Sequence, residues 1–115
     1  MASVNIASQR DIEAMRVVGR MAAETLMLVG EKIRAGMSTE DIDRIVVEDT
    51  LRRGAKCATL NYHGYPKSVC TSVNEVVCHG IPNGKQLLRD GDIVNVDVTT
   101  IFNGYFGDTS ATFYV

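Results

Sequence analysis

Asn103-Gly104 constrains this chain more than any other pair of residues, because it separates two β-prone runs, Ile93–Phe102 and the stretch from Tyr105 to Val115. A two-residue hairpin loop prefers a type I′ turn, which needs positive φ at both central residues, and Asn-Gly tolerates that best. The pairing then follows by counting. Phe102 faces Tyr105, Thr99 faces Asp108, and Asp97 faces Ser110. Side chains alternate along a strand, so Asp97, Thr99, Asp108 and Ser110 share one face of the sheet. The two carboxylates become diagonal neighbours, roughly 7–8 Å apart at the backbone. Two acids that close repel unless a positive charge lies between them, and a metal ion would supply it. Taken alone, a solvated hairpin face is the plainer account.

The remaining composition bounds the problem. The chain has 115 residues, 45% of them apolar, which suits one domain, residues 1–115, with a modest core. Twelve Lys and Arg against fourteen Asp and Glu give a net charge of −2 with no basic block. Nucleic acid and anionic membranes are therefore not expected partners. No apolar run approaches the ~20 residues that span a bilayer. Met1-Ala-Ser-Val-Asn-Ile6 has neither the charged start nor the apolar core of a signal peptide. Cys57, Cys70 and Cys78 are an odd set without Cys-x-x-Cys spacing. Reduced thiols in a cytoplasmic protein account for them most simply.

Ser8-Gln-Arg-Asp11 reads as a helix N-cap with its reciprocal acid, and Ser38-Thr-Glu-Asp41 repeats the pattern. After the first cap, Ile12, Met15, Gly19, Ala22, Leu26, Val29 and Ile33 fall at three- and four-residue steps, the apolar stripe of an amphipathic helix. Ile42, Ile45 and Val46 supply the stripe of a second helix, closed by Arg52-Arg53-Gly54. Past Gly54 the period changes to two. Short β-prone runs at Cys57–Leu60, Ser68–Val73 and Val76–His79 are separated by turn chemistry, and Asp90-Gly91 leads into Ile93. The order predicts an α+β fold, two helices packed on an antiparallel meander.

Three segments of the β half carry a longer pattern: Tyr62-His-Gly-Tyr-Pro-Lys-Ser-Val-Cys70, Asn74-Glu-Val-Val-Cys-His-Gly-Ile-Pro82, and Asp90 to Asp97 continuing through Gly107-Asp-Thr-Ser110. They closely resemble the type I methionine aminopeptidases, in their short bacterial form, and the resemblance runs from the first helix to the last residue. It implies one half of the pita-bread fold, in which two halves are related by a pseudo-two-fold axis. It implies removal of the initiator methionine from nascent proteins at a site of two divalent ions, Co, Mn or Fe.

By the same resemblance Asp97 ligates one metal and Asp108 bridges both, and His79 hydrogen-bonds the substrate beside them. An imidazole suits that role because either nitrogen can donate while the ring stays neutral near pH 7. Thr59, Tyr62, Tyr65 and Cys70 map onto the wall of the methionine pocket, where rings and a thiol favour a thioether. Several relatives carry cysteine in place of Thr59. Asn74 and the carbonyl of Val76 map onto a monovalent-cation site. Without the family, His79 reads as a core or turn residue, the tyrosines as loop packing and Cys70 as a buried thiol. Cys78-His79 lacks the second pair that a zinc site needs.

The family site takes five protein ligands, of which this sequence supplies Asp97 and Asp108. The His and two Glu belong to the C-terminal half, so the expectation is a half-domain with weak or no activity alone. A complementing half or a second copy of the chain, as a homodimer, would have to complete it. The competing functions are a non-catalytic half-domain that folds and holds metal, a fragment that binds ribosomes or nascent chains, and a prolidase-like enzyme of the same fold. The Tyr62–Cys70 motif favours a peptide with N-terminal methionine over the last.

Overall fold

The computed structural model describes residues 8–57, 70–73 and 87–115. Helix α1, Gln9–Lys32, starts on the capping box anticipated from sequence: Ser8 Oγ accepts from the Asp11 amide at 3.1 Å, and Asp11 Oδ2 accepts from the Ser8 amide at 3.2 Å. Helix α2, Thr39–Arg52, repeats it with Ser38 and Asp41 at 3.0 and 2.9 Å. Each box satisfies amide donors that a helix start would otherwise leave open. Gly54 closes α2 in the left-handed region, with φ of 79°.

The strands are β1 (Lys56–Cys57), β2 (Cys70–Val73), β3 (Ile93–Phe102) and β4 (Tyr105–Tyr114). β3 and β4 pair along their whole length, from Ile93 opposite Tyr114 to Phe102 opposite Tyr105. The pairing is antiparallel throughout but is not a simple meander. β1 pairs with Thr100 and Ile101, and β2 with Val94 to Asp97, so both short strands flank β3 rather than each other. A ten-residue strand of about 33 Å is long enough to hold both end to end. Residues 58–60 and the run Val76–His79 lie outside the described residues.

One sheet face carries Val94, Val96, Val98 and Thr100, all buried, beneath Val18, Ala22, Leu26 and Val29 of α1 and Ile42 and Val46 of α2. Each fully buried aliphatic side chain there contributes about 1.5–3 kcal/mol. The expected α1 stripe is right at Ala22, Leu26 and Val29, but Val18 is buried and Met15 is 45% exposed. Between the helices, Asp49 is buried: Thr25 Oγ1 donates to it at 2.7 Å, Arg53 Nε at 2.8 Å, and Arg52 also pairs with it. Burial alone would raise the Asp49 carboxyl, but those three donors and the Arg53 charge hold it below the ordinary range.

Candidate functional site

The other face of the sheet is where the two aspartates lie. The observed register places Asp97 opposite Ser110 and Thr99 opposite Asp108, as counted from the turn. Asn103 and Gly104 have φ of 51° and 82°, both positive, as that loop demands. Asn95, Asp97 and Thr99 alternate with the buried valines, and Asp108, Ser110 and Thr112 complete the same face from β4. Thr99 Oγ1 donates to Asp108 Oδ1 at 3.0 Å, and Asn95 Nδ2 donates to Thr112 Oγ1 at 3.1 Å. The result is a polar strip on which two carboxylates sit diagonally.

The hairpin bearing this strip is anchored on its inner side. The Tyr105 hydroxyl donates to Asp11 Oδ1, joining the hairpin tip to the start of α1. That bond, with the Ser8 amide and hydroxyl, lowers the Asp11 carboxyl, and the same bond raises the Tyr105 phenol, whose proton it needs. Gly107 lies so close to α1 that an added Cβ would fall 2.7 Å from the Val18 carbonyl oxygen. Only glycine allows this approach. At the open end of the hairpin, Val115 and Gly91–Asp92 exchange backbone hydrogen bonds of 3.0 and 2.9 Å.

Of the residues singled out in the sequence, Asp97 and Asp108 are brought together, and β2 places the Cys70 backbone beside Asp97. Thr59, Tyr62, Tyr65, Asn74, Val76 and His79 lie outside the described residues. The paired carboxylates are hard oxygen donors that fit a divalent ion. Among the described residues no group of three or more His, Cys, Asp or Glu could hold a metal. Thr99 was placed on this face by register, but its bond to Asp108 is a contact only the structure supplies. The Tyr105–Asp11 link joins residues 94 apart in sequence and had no local signal.

Comparison with known proteins bears on the family and the fold. Residues 13–115 match the model of Metallopeptidase family M24. The methionine aminopeptidase of Escherichia coli K12 is 53% identical over 114 residues, covering 98% of this chain and 43% of that protein. The mitochondrial methionine aminopeptidase 1D of Dictyostelium discoideum is 51% identical, covering 97% of this chain and 28% of its own length. Among solved structures, methionine aminopeptidase from Rickettsia prowazekii superposes with a TM-score of 0.94 at 44% identity, over 98% of this chain and 45% of that one. An Escherichia coli aminopeptidase P aligns with a TM-score of 0.79 at 26% identity, over 93% of this chain and 23% of its own. The chain thus spans less than half the length of the curated relatives it matches. No helix among the described residues is long and apolar enough to cross a membrane. With a family match over most of its length and 53% identity to a bacterial relative, the chain belongs to metallopeptidase family M24, where it corresponds to the N-terminal half of a type I methionine aminopeptidase.

Proposed function

We propose that this chain, as a single unit over residues 1–115, supplies the methionine-recognising wall and two metal ligands of a dinuclear aminopeptidase. Its substrates would be peptides whose first residue is methionine, in the cytoplasm. The observation that carries this reading is the diagonal Asp97–Asp108 pair on the sheet face turned away from α1 and α2, in a chain whose relatives are methionine aminopeptidases. Asp97 and Asp108 would hold the ions, and Thr99 already donates to one oxygen of Asp108. When bound, two ions of Co, Mn or Fe type lower the pKa of a water and polarise the scissile carbonyl. His79 orients the substrate through a hydrogen bond, and Thr59, Tyr62, Tyr65 and Cys70 enclose the methionine side chain. Asn74 and the Val76 carbonyl take a monovalent cation. One His and two Glu of a C-terminal half complete the ligand set, or a second copy of the chain brings its own Asp97 and Asp108 to it.

Release of methionine from a Met-Ala or Met-Gly peptide, with Mn²⁺ and the complementing half supplied, tests the proposal. Activity should fall to background in Asp97→Ala and in Asp108→Ala. Turnover unchanged in both variants would exclude these residues from the site. A second reading is a non-catalytic half-domain that folds and holds metal. Calorimetric Mn²⁺ binding without turnover under the same conditions distinguishes it.

A further inference from the structure

We infer that Thr99 is a positioning residue that sets the orientation of the Asp108 carboxylate for metal binding. The inference rests on the reading of Asp97 and Asp108 as ligands, and goes beyond it to the residue that prepares one of them. Asp108 is exposed, and the terminal torsion of an aspartate is broad, so an unsupported carboxylate there would rotate freely. Thr99 removes that freedom. It sits directly opposite Asp108 in the β3–β4 ladder, and its hydroxyl donates to Oδ1 at 3.0 Å. A threonine in a strand has few χ1 states because its Cβ is branched, so the donor itself is held in place at small entropic cost. With Oδ1 engaged by Thr99, Oδ2 is the oxygen presented to an incoming ion, and Oδ1 keeps lone-pair capacity for a second.

The hydroxyl is neutral, so it directs the carboxylate without competing for its charge. A lysine or arginine opposite Asp108 would form a stronger bond but would cancel the charge that attracts the metal. The inner-face contact between Gly107 and Val18 fixes the backbone one residue before Asp108, so the hydroxyl acts on a side chain whose main chain is already placed. Metal-ligand partners of this kind are typically worth 10–100-fold in affinity.

The test is Mn²⁺ binding by isothermal calorimetry to the unaltered chain, Thr99→Val, Thr99→Ser and Asp108→Ala, with circular dichroism and thermal melting to establish folding. Valine keeps the shape and the strand propensity and removes only the donor. Thr99→Val should bind Mn²⁺ about 10–100-fold more weakly, while Thr99→Ser, which keeps the hydroxyl, should recover most of the loss. Should Thr99→Val fail to fold, the ratio between Thr99→Ser and Thr99→Ala decides the matter in the same way. Equal affinity in Thr99→Val and the unaltered chain, with binding lost in Asp108→Ala, overturns the role of Thr99 and leaves the ligand reading standing. Binding unaffected by Asp108→Ala overturns both.

Discussion

Asp49 shows how a single buried charge joins two helices. Replacing it with alanine removes the acceptor shared by Thr25, Arg52 and Arg53 and leaves the half-buried Arg53 guanidinium with Glu24 alone. Breaking a buried pair from one side costs about 3 kcal/mol, a loss readable as a lower urea midpoint. The pH dependence has a definite sign. The folded carboxyl lies below its unfolded value of about 3.9, so its contribution is complete above that value and disappears as pH falls through the lower folded one. Acid titration of Asp49→Asn should therefore show a shallower loss of stability below about pH 4 than the unaltered chain. Thr100 is the opposite case, a buried hydroxyl on the core face without a hydrogen-bond partner among the described residues. Thr100→Val removes that cost at constant shape and should raise stability by roughly 1 kcal/mol in the same urea titration. Neither position was legible from sequence. An Asp near a helix end and a Thr in a strand have ordinary exposed readings, and only long-range packing buries them.

At the level of elements, the local chemistry was readable and the non-local arrangement was not. Both capping boxes and the Asn103-Gly104 turn are decided within a few residues, and the register of ten pairs follows from the turn alone. The position of Asp97 and Asp108 on a common face was legible for that reason. The burial of Val18, by contrast, depends on where the hairpin crosses α1, and the placement of β1 and β2 on one edge of β3 depends on strand length. Cys70 beside Asp97 is a consequence of that arrangement and has no periodic signal. The turn itself gives a sharp prediction. Gly104→Val puts a β-branched side chain at a φ of 82° and should cost roughly 1–2 kcal/mol. Because the turn sets the register, the same variant should weaken Mn²⁺ binding even though residue 104 touches no ligand. Retained stability and affinity would show that the flanking strands hold the register unaided.

On the scale of the molecule, the two faces of the sheet have different fates. One is closed by α1 and α2. The other presents Asp97 and Asp108 together with Ile93, Phe106 and Tyr114, whose side chains are exposed. The proposed pairing of two copies would bury those apolar groups about a two-fold axis and bring four carboxylates together. Mutual repulsion makes that dimer dependent on metal. Native mass spectrometry should show dimer with bound Mn²⁺ and monomer after chelation, and a monomer indifferent to both would exclude the arrangement. The contact of Gly107 with Val18 carries a further consequence, for how this sequence can change. Residue 107 is confined to glycine by a helix on one side of the sheet, and residue 108 projects from the other side. Adjacent positions thus answer to separate demands, and a side chain acquired at 107 would lift the strand and displace the acid beside it. Drift in the helix-facing layer is consequently not silent for the chemistry behind it. Libraries that randomise the core of this unit should hold position 107 invariant, or they will displace the proposed metal ligand at 108 while appearing to sample only packing.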